Sequence, residues 1–456
     1  MEVSIPSNFE SEFYNRSCLF ARYTVGLGKD QDYQSLMTGT QIAIAGTREV
    51  LVTTNGQYMI TMAVNLLARF CKHLALVVPD DIPLVIRAPV AYSENLLGCL
   101  AGNAREINPL IQLDIVSERS KGLYDAALVI GQYEGELGNT IYINSDGWLA
   151  YVGTEGNSFG WASDNPNPIG AYTTACIGVA EIFKALMSKL RERSPVTTAS
   201  SGSYIFSALD YGFKTTRLIN PTLTKFSLLR PLHLISMGAI NSALLYTLCS
   251  FPRFQCKAFI IEPQTAEVSN LNRYLLLTAR DAIQGVSKCS VAQKAAQQYL
   301  PVTVYPKSYE EYKSCLQSPI DVALVGVDTD ESRWHVQDDL PRVLLCGGTE
   351  VSQIRVSHHV NPARQACLGC IYPKRDMPPL PAQPEPVPSI SFVSALAGIL
   401  MAGELIKENS EELQPYTLDI CLDLDILRMP HFRVTKPQKS EKCGCGCGKW
   451  ATLKTY

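Results

Sequence analysis

The sequence predicts an α/β protein of two domains, each a largely parallel sheet covered by helices on both faces. Three observations carry that expectation. Apolar runs of strand length alternate with helix-length segments, the alternation occurs twice, and a stretch of linker composition separates the two copies.

The first copy opens a strand at 42 with "IAIAG". It continues through the helix-like "GQYMITMAVNLLARFCK" and returns as the strand "LALVVP" at 74–79. The second copy has "LHLISMG" at 232–238, then "INSALLYTLCS", then "KAFIIEP" at 257–263. Further along, "YDAALVIGQ" at 124–132 matches "IDVALVGVD" at 320–328. Likewise "IGAYTTACIGVAEIFKALM" at 169–187 matches "ISFVSALAGILMAGELIK" at 390–407. Strands of this kind, separated by helices, give βαβ units and two Rossmann-like folds. "RERSPVTTASSGS" at 191–203 has the composition of a linker. The expected division is a first domain at 1–195, a linker at 196–230 and a second domain at 231–456.

Composition narrows the function. With 456 residues the chain can bury two large cores, and 46% hydrophobic with 18% charged residues is ordinary globular composition. A net charge of −3 argues against nucleic acid as the main partner, because phosphate backbones select basic faces. The N-terminus lacks the basic and apolar regions of a signal peptide. The apolar run "FVSALAGILMAG" at 392–403 is too short to span a bilayer and reads as a buried helix. Fifteen cysteines without a secretory signal suggest reduced thiols, a cytoplasmic location, no membrane, and metal binding for any cysteine cluster.

The copies differ where chemistry would sit. The first has Gly46-Thr47-Arg48 after its opening strand, and its second strand runs into Pro79-Asp80-Asp81. The second has "SMGAINSALLYTL" at 236–248, a strand–helix turn whose small residues, Gly238, Ala239, Ile240 and Asn241 included, would let backbone N–H groups approach a phosphate. Ser236 and Asn241 occupy the first and third glycine positions of a dinucleotide-binding turn, so a plain tight turn is the alternative. Glu262, 24 residues after Gly238, stands where such folds place an acid for ribose hydroxyls; a helix cap is its other reading. "SNLNRYLL" at 269–276 then supplies Asn270 and Arg273, and the following helix carries Lys288 near its start. Those three would converge on phosphates. Asp328 and Asp330, in "VGVDTDESR" at 325–333, are carboxylates suited to Mg²⁺. The set fits attack of a carboxylate on an α-phosphate, where developing charge needs cations; hydride transfer needs neither the arginine–lysine pair nor the metal.

"ACLGCIYP" at 366–373 and "KCGCGCGKW" at 442–450 supply Cys367, Cys370, Cys443, Cys445 and Cys447. Two separated cysteine clusters look like a structural Zn²⁺ site, which takes four thiolates and leaves one spare.

The order "GAIN", "SNLNR", "GVSK", "DTD", "CLGC" resembles the ubiquitin-activating superfamily, which includes the ThiF and MoeB adenylyltransferases. The resemblance covers most of 231–450, with a weaker echo over 20–190. It implies two ThiF-type domains forming a pseudodimer, one an active and one a degenerate adenylation domain. It also implies ATP-dependent activation of the C-terminal glycine of a ubiquitin-like protein, with a conjugating enzyme as a further partner. In residues, it implies Glu262 on the ribose, Asn270, Arg273 and Lys288 on the phosphates, and Asp330 on Mg²⁺. Glu262 replaces the usual Asp, and Tyr274 stands where Gln is common. Arg22, in "LFARYTVG", is a candidate to reach the phosphates from the first domain. Alternatives are a sulfur-carrier adenylyltransferase and a scaffold without ATP binding.

In related enzymes the acceptor cysteine sits in the loop crossing the active site. Here that loop, 371–391, has no cysteine, which leaves Ser389 and Ser391 as hydroxyl nucleophiles besides Tyr372. Release of the adenylate, an oxyester on one of these serines, or a thioester on a distant cysteine such as Cys346 are the possible outcomes.

Overall fold

A computed structural model describes all residues except 1–3, 27–29, 91–92, 117–122, 157–162, 191–201, 215–217, 224–225, 229, 253, 317, 361–364, 374–386, 419–420, 431, 441–442 and 454–456. Most of the expected crossing loop therefore lies outside the described residues.

Two eight-stranded sheets dominate the architecture. With strands numbered by their order along the chain within each sheet, both run 3-2-1-4-5-6-7-8. In each, the first five strands pair parallel and the last three join antiparallel at one edge. The duplication visible in the sequence is thus a duplication of topology, and the chain is two Rossmann-like domains. The central strands, Ile42–Gly46 and Leu232–Ile235, are buried throughout, as strands covered on both faces must be.

The expected linker at 196–230 is shorter in the structure. Tyr204–Ser207 and Gly212–Lys214 are the last two strands of the first sheet, and Phe226–Ser227 pairs with Phe254–Gln255 in a small separate ladder. Ile205 and Phe206 are buried on that edge, so tertiary burial decides what linker-like composition nearby obscured.

The halves share one hydrophobic core. The matching helices Ile169–Met187 and Ser391–Glu408 pack on each other, and Phe392 meets Phe20, Phe70 and Phe183 with ring centroids 5.7–6.3 Å apart. Ile169–Met187 is long and apolar enough to cross a membrane, yet all of it is buried inside the protein. Polar contacts cross the same seam: the Tyr58 hydroxyl donates to the Ser250 carbonyl at 3.0 Å and Tyr172 to the Ser250 hydroxyl at 2.7 Å. Both helices repeat a fully buried Glu-x-x-Lys pair, Glu181 with Lys184 and Glu404 with Lys407.

Candidate functional site

A cavity of about 410 Å³ opens at the carboxyl ends of the central strands of the second sheet, where strand order reverses and ligands bind in folds of this class. The Gly238 turn forms one wall. Gly238 precedes the helix Ala239–Ser250, whose first backbone N–H groups have no partner within the helix. Ser236 adopts φ +65°, the conformation that favours glycine. The Ser236 hydroxyl and the Met237 N–H both donate to one oxygen of Glu262, at 3.1 and 2.8 Å, and the Gln264 N–H donates to the other at 2.8 Å. Glu262 thus fastens the turn to the next strand while facing the cavity. Asn241 takes the third glycine position for a different purpose: its amide donates to the carbonyls of Ile235, Ser236 and Leu324, tying two strand ends together. Ser236→Gly should be roughly 1 kcal/mol more stable than Ser236→Ala in urea unfolding. Both lose the hydroxyl, and only alanine keeps a Cβ at positive φ.

Arg273 lines the cavity, as does Arg16 from the helix Phe9–Val25 of the first half. Burial, and for Arg16 also the neighbouring Arg273, push both guanidinium groups below their ordinary pKa. The Glu267 carboxylate acts on both cations and Asp328 on Arg273, and two guanidinium groups held this near each other on one cavity wall favour an anion there. Arg273 is clamped by the Ser269 carbonyl at 2.7 Å and the Asn272 side chain at 2.8 Å; Asn272 in turn donates to the Ser389 carbonyl at 2.7 Å. Arg16 donates to the Val387 carbonyl at 3.0 Å. Both arginines are therefore linked to the segment that ends the crossing loop.

The other sequence-predicted residues divide. Asp328 lines the cavity; Asp330 does not, and at the start of the helix Asp330–Asp338 it pairs with Arg333 at 3.1 Å. Asn270 caps the short turn Val268–Asn270 by accepting from the Glu267 N–H at 3.2 Å, and it is not on the cavity wall. Lys288 is buried behind Tyr274, donating to Gln264 at 2.6 Å and to the Tyr274 hydroxyl at 3.3 Å. Gln264 and Tyr274 themselves line the cavity. Arg22 is exposed and not on the wall, so the residue reaching over from the first half is Arg16, six positions earlier. The signal was available in the buried stripe of that helix. Phe13, Ser17, Phe20 and Thr24 face inward, and Arg16 sits at its border.

Ser389 and Ser391 separate as well. Ser389 lines the cavity, and its hydroxyl is buried without a partner among the described residues. Ser391 is buried, donates to the Leu66 carbonyl at 3.0 Å and does not line the cavity. Cys346 is fully buried, and no cysteine lines the cavity among the described residues.

The sheet registers allow the two copies to be compared position by position. Ile42 and Leu232 start the central strands, pairing with Leu74 and Ala258 on one side and Ala126 and Val322 on the other. Counting from these, Arg48 stands at the position of Gly238, Val78 at that of Glu262 and Gln132 at that of Asp328. Val78 is buried, and Arg48 is ion-paired with Asp81. The first half lacks the small turn residue and both carboxylates.

Near the cavity, Cys367, Cys370, Cys443 and Cys447 bring their sulfurs within 4.8 Å of one another, with pairs at 3.4–3.9 Å. Four thiolates around Zn²⁺ at about 2.3 Å would stand roughly 3.8 Å apart, so the set fits the ion. Cys445 is the spare: its sulfur packs against Gly369, where a Cβ would come to within 1.7 Å of it, so a larger residue at 369 would displace Cys445. The cluster braces the helix Asp330–Asp338. The Leu368 N–H donates to Gln337 at 2.9 Å, the Trp334 indole to the Tyr372 carbonyl at 2.6 Å, and Lys449 pairs with Asp338 at 2.7 Å.

Residues 258–447 match the ThiF family. An uncharacterised protein of Sinorhizobium fredii, y4jF, is 28% identical over 345 residues, covering 75% of this chain and 62% of that protein. A sulfur carrier protein adenylyltransferase of Thermus thermophilus is 31% identical over 165 residues, covering 32% of this chain and 58% of the relative. The chain thus spans less than two thirds of the length of these curated relatives. Among solved structures, the microcin C7 biosynthetic enzyme MccB in complex with N-formylated MccA aligns at 14% identity and TM-score 0.39, over 48% of this chain and 67% of that one. E. coli MccB with ATP aligns at 14% and 0.37, over 48% and 66%.

Proposed function

We propose that this protein, whose residues 258–447 match the ThiF family, uses MgATP to adenylate the C-terminal glycine of a ubiquitin-like protein. The observation that carries the reading is a single cavity holding the Gly238 turn, Glu262, Asp328 and two arginines, one from each half. In the proposed step the substrate carboxylate attacks the α-phosphorus, the bond to the β-phosphate oxygen breaks, and pyrophosphate leaves. Arg273 and Arg16 meet the charge that develops on the phosphate oxygens. Glu262, with three of its acceptor sites already holding the turn, offers its remaining lone pair to a ribose hydroxyl. Asp328 is the carboxylate that would hold Mg²⁺, which neutralises phosphate charge when bound. Lys288 acts through Gln264 and Tyr274 rather than by touching phosphate. The first half, with Arg48, Val78 and Gln132 at the corresponding positions, serves as the degenerate member of a pseudodimer that lends Arg16.

After adenylation, two outcomes are favoured: release of the adenylate, or attack of the Ser389 hydroxyl on the acyl carbon, which forms an oxyester as the acyl–phosphate bond breaks, AMP leaves and the hydroxyl proton passes to solvent. Cys346 is buried and the Ser391 hydroxyl is committed to Leu66. An adduct that resists reductant, is cleaved by hydroxide and is absent from Ser389→Ala would establish the oxyester. A reductant-labile adduct would overturn the serine assignment.

The test of the function is ATP–pyrophosphate exchange with candidate ubiquitin-like proteins. Exchange dependent on a protein ending in glycine is the expected result. Exchange supported only by a sulfur-carrier protein would favour the alternative that the Thermus relative's name suggests. Absence of any thermal stabilisation by MgATP would reduce the chain to a scaffold.

A further inference from the structure

We propose that Arg69, in the half that lacks the site, is a positioning residue that sets the loop carrying Arg273. It follows the helix Thr54–Leu67 and is fully buried. Its guanidinium crosses to the other half and donates to three carbonyls of one loop: Leu271 at 2.6 Å, Leu275 at 2.9 Å and Leu277 at 3.3 Å. The remaining hydrogen bond goes to the Asn65 side-chain oxygen at 2.9 Å, and the Asn65 amide itself donates to Leu275 at 3.2 Å. All these acceptors are neutral. Burial lowers the pKa of Arg69 to about 9, so the group is held by geometry and not by a counter-charge.

The loop needs those donors. Between Leu271 and Leu275 it carries Asn272, Arg273 and Tyr274, and its buried carbonyls require partners from outside the loop. A planar fork with five donors fixes three such carbonyls relative to one another, which a lysine ammonium on a flexible stem does not. The adjoining Leu66 carbonyl accepts from Ser391, at the start of the helix after the crossing loop. One helix end of the first half therefore holds both the Arg273 loop and the segment that Asn272 clamps through Ser389. An ordinary interface contact would distribute its bonds; this one spends them on the loop that bears the phosphate-facing cation.

For its binding readout the proposal rests on the adenylation reading, so the experiment has two arms. Full-length wild type, Arg69→Lys and Arg69→Met are compared by hydrogen exchange without nucleotide, and by MgATP affinity with and without Arg273→Ala. The expected result is selective loss of amide protection over 269–277 in Arg69→Lys, while helix Ile169–Met187 stays protected. ATP should bind about tenfold more weakly in Arg69→Lys, and the further loss in the Arg273→Ala background should be under about twofold, since residues acting through one another are not additive. The thermal midpoint should fall equally in both backgrounds. Unchanged protection at 269–277, or a full loss of affinity repeated in Arg273→Ala, would overturn the proposal. If Arg69→Met does not fold, Arg69→Lys decides alone. If wild type binds no MgATP the adenylation reading fails, and the exchange arm still decides whether Arg69 sets the loop.

Discussion

Arg273→Ala is expected to lower partner-dependent ATP–pyrophosphate exchange by about 10²–10³-fold, because a preorganised donor facing developing oxyanion charge is worth a few kcal/mol. The side chain is clamped by the Ser269 carbonyl and Asn272, so little reorganisation is left for the moment of reaction. Its removal also leaves Arg16 without the neighbouring cation. Asp328→Ala should cost as much, since it removes the carboxylate on the cavity wall. Asp330→Ala is the discriminating control. Its carboxylate pairs with Arg333, so only a modest loss is expected, of the order of an exposed ion pair, about 1 kcal/mol or less. A collapse of exchange in Asp330→Ala with near-full activity in Asp328→Ala would reverse the metal assignment. Changes at Asp80 or Asp81 in the first half should leave exchange nearly intact, and a loss equal to that of Asp328→Ala would refute the division of labour between the halves.

Purified protein should carry about one Zn²⁺ per chain, and changing Cys367 and Cys370 together to Ser should abolish its binding. Structural zinc couples directly to folding, so the thermal midpoint should drop by about 10 °C or more. The damage should spread along a traceable path. Without the cluster, the contacts of Gln337, Trp334 and Lys449 lose their anchor, and the helix bearing Arg333 loosens beside the cavity. Cys445→Ser should keep the metal, because the other four sulfurs already form the set. Elemental analysis of zinc in both variants checks this; loss of zinc in Cys445→Ser with retention in Cys447→Ser would exchange their roles.

The sequence by itself determined the two-fold repetition, the parallel strands and the apolar helices between them, because hydrophobic period is a local property that burial on both faces of a sheet makes unmistakable. It also brought out Gly238, Glu262, Arg273, Asp328 and the cysteine clusters, whose spacing follows from strand and turn lengths. Tertiary structure alone decided which of several adjacent candidates faces the cavity. Asp328 and Asp330 are two residues apart, yet one lies on the wall and the other begins a helix and turns to Arg333. Ser389 and Ser391 differ the same way. A side chain's direction at a strand end or helix start depends on what packs against it, and that partner is far away in sequence. Arg69 is the limiting case: it meets Leu271 across 202 positions, and nothing near it in the chain marks where its hydrogen bonds go.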